Sequence, residues 1–403
     1  MSASTDAVFG GIPLEVGRAP LHRLDSGAPA AVELQLHGPE GTSLHDPAAL
    51  REAARAMQQK TELDRIAWRS ALGQPVSAVP QLIAVDLDSL DDLDDLDTLD
   101  ANRPTTIVMV TDQALATSPA RTLRTIDAAR AAGMLIAVDG VGDRRGTLAL
   151  LPLVEPDVIF LSPTLIHRPA EASTARTAHA VAAYTETTDA VVIARGVDTD
   201  LHRRRALGLA AEYGTGLLYA PQDANDTAGH QDAPCEPLTL RSRPVVTEDL
   251  RATPFALAAP GRRRTHSRKR LLVSMSKLLE ANAVTAGPET IVLGTFQRAE
   301  HFTRLSQARW AQLADQVAYT GIYGVGIDPY VDSAVHHAPL DPDDPMVEEW
   351  NVVVLGPHFA CVLAALDLHA GTADLDREFE YVLSYDRDVV VRCTRTILHR
   401  FDG

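Results

Sequence analysis

The run DAVVIARGVDT, residues 189–199, sets how the first half of the chain is read. Val191, Val192 and Ile193 are β-branched and favour an extended strand over a helix. Its apolar residues are successive rather than alternate, which marks a strand covered on both faces, as in a parallel sheet. Gly196 follows Arg195 and supplies a turn. Five upstream runs repeat the pattern: AVELQL (31–36), QLIAVDL (81–87), TTIVMVT (105–111), MLIAVDG (134–140) and PDVIFLS (156–162). Between them stand helix-like segments, DPAALREAARAMQQKTELDRIAWRSAL (46–72) and SPARTLRTIDAARAAG (118–133). The second opens on Ser118 as N-cap candidate and closes on Gly133. Buried strands alternating with helices make parallel βα units, and so many in one stretch favour a closed TIM-like α/β barrel. Residues 1 to about 20 read as a tail leading into it.

Composition bounds the rest. The chain has 403 residues, 45% hydrophobic and 23% charged, which allows two or three domains of a soluble globular protein. A net charge of −17 argues against nucleic acid as a partner of the whole surface. Lysine occurs only at Lys60, Lys269 and Lys277, and the preference for arginine and alanine points to a GC-rich genome. Cys235, Cys361 and Cys393 are scattered, with neither a disulfide framework nor metal-ligand spacing. The N-terminus lacks the pattern of a signal peptide, and no apolar run is long enough to cross a membrane. A cytoplasmic, reduced protein without cofactor or membrane contact is therefore expected. The acidic repeat DLDSLDDLDDLDTLDA (86–101) lacks the glycine and closing glutamate of a calcium loop and reads as solvated.

Residues 222–245, polar and rich in proline and aspartate, read as a linker between a first domain (1–221) and a second (246–403). The second should run helix (266–281), strand (289–295), helix (304–318), strand (319–326), two strands flanking Gly356-Pro357 (350–355 and 358–366), strand (378–383) and helix (386–401). Adjacent strands among helices predict a mixed α/β sheet. Thr303 and Asp386 are N-cap candidates for its last two helices. The basic run RRRTHSRKR (262–270) could meet an acidic partner or a phosphate, but a solvated linker and helix start is the simpler reading. Gly-rich phosphate loops, helix-turn-helix patterns and H-E-x-x-H are absent.

Beyond these patterns, residues 30–222 resemble the EAL domain, the cyclic di-GMP phosphodiesterase family, through TELDRIAWRSAL (61–72), TDQALATSPARTLRTIDAARAAGMLIAVDGVG (111–142) and VVIARGVDTDLHRRRALGLAAEYGTGLLYAPQ (191–222). The resemblance implies a barrel with the dinucleotide over the carboxyl ends of its strands, where two Mg²⁺ or Mn²⁺ ions activate water. Matched to the family motifs, Glu33 keeps the glutamate of E-A-L, His37 replaces a phosphate-contacting arginine, and Asp86 replaces an asparagine ligand. In the place of E-x-T-E stand Met109 and Asp112, and of the paired aspartates in D-D-F-G only Asp139 remains, followed by Gly140. Phe160 takes the place of the lysine that assists the water, and Ser162 that of the nearby aspartate. Arg195 replaces the first glutamate of A-E-G-V-E-T, Asp198 falls in the same motif, and Thr215 replaces a glutamine.

Hard divalent ions need several oxygen ligands; Met109, Gly140 and Arg195 remove carboxylates, and Phe160 removes the base. A guanidinium about 4 Å from a dication is repelled by about 8 kcal/mol at an effective dielectric near 20. Arginine cannot escape by deprotonating. No metal and no catalytic residue is therefore expected, and the barrel reads as a pseudo-phosphodiesterase. Arg195 is expected to pair with one or more of Glu33, Asp86, Asp112 and Asp139, which would otherwise be a carboxylate cluster without a cation.

Residues from about 250 onward resemble the DICT sensory domain, carried by THSRKRLLVSMSKLLE (265–280), GTFQRAEHFT (294–303), DPDDPMVEEWNVVVLGPHFACVLAALDL (341–368) and REFEYVLSYDRDVVVRCTRTIL (377–398). His301, Phe302, Trp350, His358 and Phe359 are its candidate ligand or partner residues, although the simpler reading makes the histidines structural and the aromatics part of the core or an interface. The two resemblances together imply a bacterial signalling protein with a signalling partner, a small-molecule ligand for the sensor, and a homodimer through the barrel. A metal-independent cyclic di-GMP receptor and a residual phosphodiesterase are the alternatives.

Overall fold

A computed structural model of the protein describes residues 7–74, 77, 79–92, 104–219, 235–243, 251–332, 335–371 and 373–401. The chain divides into two compact units: Met1–Thr111, Thr125–Asp143 and Pro156–Val245 in the first, Asp112–Arg124, Arg144–Glu155 and Val246–Gly403 in the second. No helix among the described residues is long and apolar enough to cross a membrane.

The first stretch of chain runs β1 (Ala7–Phe9), β2 (Ile12–Arg23), β3 (Pro29–His37), α1 (Pro47–Ala56), α2 (Lys60–Leu72), β4 (Gln81–Asp86), β5 (Thr105–Val110), α3 (Asp112–Thr117) and α4 (Pro119–Ala131). It continues through β6 (Leu135–Val141), α5 (Arg145–Val154), β7 (Val158–Leu161), α6 (Pro163–His167), α7 (Ala172–Thr185), β8 (Val191–Arg195), α8 (Asp200–Gly208) and β9 (Tyr213–Thr215). Strands β2 to β9 hydrogen-bond in chain order, and β2 pairs with β9 to close the barrel. Strands β3 to β9 are mutually parallel, while β2 is antiparallel to β1, β3 and β9.

All six strands read from the sequence are present. Because side chains alternate along a strand, every second residue enters the barrel. Leu82 and Ala84, Ile107 and Met109, Leu135 and Ala137, Val158 and Phe160, and Val191 and Ile193 form one buried core. Each large apolar side chain so buried contributes about 1.5–3 kcal/mol. The next inward positions after Ala84, Ala137 and Ile193 are Asp86, Asp139 and Arg195, so strand period alone delivers charged groups to the barrel mouth.

Several expectations need correction. The presumed tail holds β2, a 12-residue strand; Gly17, Pro20 and its half-exposed face hide the period. The helix expected over 46–72 is two, broken where Gln58 takes φ 56°. The acidic repeat opens with a 3₁₀ turn over Leu87–Asp92, and residues 93–101 lie outside the described residues. The presumed linker is no open tether over residues 235–243. Glu236 and Leu238 N–H groups bond the Pro29 and Ala30 carbonyls, Arg243 N–H bonds Asp157, and Leu238 joins the barrel core. This strap runs over the amino-terminal ends of β3 and β7; residues 220–234 are not described.

The second unit contains α9 (Pro254–Ala258), β10 (Thr265–Arg268), α10 (Lys269–Ala286), β11 (Ile291–Arg298), α11 (Arg304–Ala314), β12 (Tyr319–Val325), β13 (Tyr330–Asp332), β14 (Val335–Pro339), β15 (Glu349–Leu355), β16 (Ala360–Asp367), β17 (Glu378–Ser384) and α12 (Arg387–Leu398). Its mixed sheet has the order β10-β17-β16-β15-β11-β12-β14-β13. The β11–β12 and β12–β14 pairs are parallel and the others antiparallel. Leu272 and Leu279 of α10 and Trp310 of α11 share a core with Val352, Val354, Cys361 and Leu363 of the sheet. Thr303 and Asp386 cap α11 and α12 as read from the sequence. The helix expected from 266 starts at Lys269, because residues 265–268 form an edge strand on β17. The basic run is matched by acids: Arg262 by Asp386, Arg264 and His266 by Glu380, Arg268 and Arg270 by Asp376, and Lys269 by Asp374.

Candidate functional site

The mouth of the barrel is built around Arg195 at the carboxyl end of β8. Its Nη2 donates to Glu33 Oε1 at 3.1 Å, and its Nε lies 3.7 Å from Asp139 Oδ1. The guanidinium sits over the Phe160 ring, 4.2 Å from the centroid, a cation–π contact inside a largely buried site. Arg51, from α1, adds a second cation 3.8 Å from the same Glu33 oxygen. Glu33 is buried, with 3% of its side chain exposed. Burial alone would push its carboxyl up, but the Arg195 and Arg51 charges outweigh that and hold it below the usual carboxylate range. In return Glu33 and Asp139 overcome the burial of Arg195 and raise its pKa. The mouth thus holds an ionised cluster with its own internal cation.

The remaining relic positions are engaged elsewhere. Asp86 is bound by Arg55 at 3.1 Å and Lys60 at 3.3 Å, and its N–H donates to buried Asp64. Asp112, at the head of α3 in the second unit, pairs with Arg144 at 2.7 Å. Met109 is an inward core residue of β5. His37 Nδ1 meets the His45 carbonyl at 2.9 Å, and its ring fills the space over Gly17. Gly140 has φ 64°, a conformation a second aspartate would adopt only with strain. Ser162 caps α6 and donates to Asp143. Thr215 stands beside Arg195 across β8–β9, and Asp198 accepts the Leu217 N–H at 2.9 Å. Of the four carboxylates expected near Arg195, the structure brings Glu33 and Asp139 to it, while Asp86 and Asp112 are held by other cations.

Sequence reading missed Arg51, Arg55 and Lys60, whose role shows only when α1 and α2 fold over the strand ends. It also missed that Asp198, read as part of the last motif, stands with His167 and His202 in the one group of described residues with the composition of a metal site, with donor atoms within 4.8 Å of one another. Its histidines lie on separate helices, so no local spacing marks them. His167 Nε2 already meets the Gly196 carbonyl at 2.8 Å.

A second candidate lies in the second unit, where α10, β11 and β15 enclose a cavity of about 500 Å³. His301 and Trp350 line it, as do Ser276, Lys277, Glu280 and Arg309, which sequence reading did not single out. His301 Nδ1 donates to the Phe296 carbonyl at 3.1 Å, and its Nε2 accepts from Arg377 at 3.1 Å. Burial, then the Lys269 and Arg377 charges, lower its pKa and keep it neutral. Phe302 belongs to the core, tilted against Phe296. His358 is exposed in the turn before β16, and Phe359 packs edge-on to Tyr385, both away from the cavity lining.

A family model described as EAL domain matches residues 19–222, and one described as DICT, a sensory domain in diguanylate cyclases and two-component systems, matches 246–368. Among solved structures, the FimX EAL domain of Xanthomonas citri in complex with c-diGMP is similar at 15% identity and TM-score 0.43, over 52% of this chain and 87% of that one. BlrP1 of Klebsiella pneumoniae in a calcium/cy-diGMP complex is similar at 20% identity and TM-score 0.43, over 52% of this chain. This chain spans 56% of the length of that protein. No curated protein matches the chain.

Proposed function

This chain belongs to the EAL-domain family, and from that premise we propose that it is a cyclic di-GMP signalling protein whose barrel binds rather than hydrolyses. The DICT match of the second domain supports a sensory or interaction role there. One observation carries the reading of the barrel: the Arg195 guanidinium lies between Glu33 and Asp139, over the ring of Phe160.

A pair of divalent ions, which the family's chemistry implies, does not fit these residues. Glu33 and Asp139 already share a fixed monocation, and an added dication would repel it while competing for the same oxygens. Asp86 is likewise held by Arg55 and Lys60. Phe160 supplies no base, and the Arg195 and Arg51 charges hold the Glu33 carboxyl below the usual range, which weakens it as a proton acceptor. The barrel then serves as a scaffold for protein partners, including a second copy of the chain.

The test is turnover of cyclic di-GMP by the full chain with Mn²⁺ or Mg²⁺, followed by separation of linear products. None is expected above the metal-only background. Turnover that disappears in Glu33→Gln overturns the reading. Calorimetry with micromolar dinucleotide and no metal separates a receptor from a pure scaffold, and saturable heat would assign the receptor.

A further inference from the structure

We propose that His167, Asp198 and His202 of the first unit bind a zinc-type divalent cation, at a site separate from the charged cluster around Arg195.

The three residues lie beyond the carboxyl ends of β7 and β8. His167 ends α6, Asp198 stands between β8 and α8, and His202 is in the first turn of α8. Their donor atoms lie within 4.8 Å of one another, and the two imidazole rings stack with centroids 4.5 Å apart. His167 Nε2 is 3.2 Å from Asp198 Oδ2 and 2.8 Å from the Gly196 carbonyl oxygen. An ion with bonds of about 2.0–2.1 Å sets neighbouring ligand atoms roughly 3 Å apart, a spacing His167 and Asp198 already have. The gap to His202 closes by turning side chains that are exposed or half-buried. In that turn His202 gives up the long 3.3 Å bond its Nδ1 accepts from Asp198 N–H. The proton on His167 Nε2, which bonds the Gly196 carbonyl, moves to Nδ1 when Nε2 takes the metal.

Other bonds hold the ligands in place. Leu217 N–H donates to Asp198 Oδ1 at 2.9 Å and leaves Oδ2 toward His167. Thr199 caps α8 by accepting the His202 N–H at 3.2 Å. Arg205 donates to the Ile166 and His167 carbonyls at 3.1 and 2.7 Å and fixes the end of α6. Gly196 has φ 75°, and a Cβ there would stand 2.9 Å from His167 Nε2, so the approach requires glycine. Outer bonds of this kind orient metal ligands.

The charge differs from that of the mouth. Glu33, Asp86, Asp112 and Asp139 each meet an arginine or lysine, whereas among the described residues the one ion-pair partner of Asp198 is His167. A carboxylate beside two imidazoles, with no fixed cation, keeps its charge for an incoming one. Imidazole nitrogens with a carboxylate suit Zn²⁺, whereas Mg²⁺ and Ca²⁺ take oxygen ligands. Three protein ligands leave the fourth position of a tetrahedral ion to water. The bound ion would clip α6 to α8 and the segment before it.

The experiment uses the untagged full chain, stripped with a chelator, and Zn²⁺ alone as probe, with a chromophoric chelator as competitor. The parent should take up one equivalent that His167→Ala, Asp198→Asn and His202→Ala each lose and His266→Ala, in the second unit, keeps. Zn²⁺ at about a hundredfold over its Kd should raise the melting temperature of the parent by about 5–10 °C and leave the three variants unmoved. Mg²⁺ should do neither. A parent that takes up no Zn²⁺, or folded variants that keep the equivalent, overturn the site. Loss of the equivalent in Glu33→Gln overturns it too, by placing the ion in the mouth. An equal response to Mg²⁺ overturns the class. If the variants fail to fold, the parent decides alone: Zn²⁺ should shield His167 and His202 from a histidine-acylating reagent, read by peptide mass, and equal modification with and without the metal overturns the proposal.

Discussion

The barrel mouth and the cavity of the second unit are both lined by charged and aromatic side chains, yet they use them in opposite ways. In the mouth, Arg195 and Arg51 meet Glu33, Asp139 meets Arg195, and Asp86 meets Arg55 and Lys60. The protein supplies its own counter-ions there, although Glu33 Oε2 and Arg195 Nε are buried without a hydrogen-bond partner. Among the described residues, the buried Ser276 Oγ and Trp350 Nε1, on residues that line the cavity, have no hydrogen-bond partner. A mouth that carries its own cation balances its buried charges internally, whereas buried polar atoms left unmet give up stability.

That contrast can be broken most forcefully at Arg195. Arg195→Met leaves Glu33 buried with only the more distant Arg51, and should cost about 3–5 kcal/mol, read as lost chemical stability of the first domain. The double variant Glu33→Gln with Arg195→Met removes both charges and should recover most of the loss. If the single variant melts like the parent, the mouth is not an internal ion pair. A smaller effect is expected at Glu349 in the second unit, whose carboxyl burial raises to about 7 although Thr253, Phe255 N–H and Asn351 bond to it. The folded state then holds a proton that the unfolded state releases near the ordinary carboxylate value of about 4.3. Stability is therefore greatest below that value, falls as pH rises, and levels off above about 7, a change on the order of 3 kcal/mol. Glu349→Gln should flatten this dependence, read from melting at pH 5 to 8. The smallest effect is the most pointed: Ser276→Ala should be neutral or stabilising by up to about 1 kcal/mol, because the hydroxyl has no bond to lose. A clear destabilisation would mean the hydroxyl is satisfied after all, and the contrast would go.

What could be read from the sequence follows from how each part is held. Strands β4 to β8 are buried on both faces along most of their length, so their apolar runs are continuous and visible. Strand β2 has one half-exposed face and carries Gly17 and Pro20, so its pattern dissolves, and edge strand β10 is hidden in a basic run because pairing with β17 sets its conformation. Arg195 was legible as a misplaced charge since strand period fixes where it points. Its partner Arg51 was not, because α1 must fold over the strand ends before the two meet. The cavity was legible only at His301 and Trp350, since its walls come from segments spread between Lys269 and Leu375.

The strap at residues 235–243 bears on how the first domain can be handled alone. The EAL match ends at residue 222, before the strap begins. A fragment cut there would lose Leu238 from the barrel core and the bonds that cover the Pro29 and Ala30 carbonyls. Its floor would present greasy, uncovered strand ends to solvent and invite self-association. A fragment extended through Arg243 keeps that floor shut, so the place where homology stops and the place where the barrel becomes watertight are about twenty residues apart.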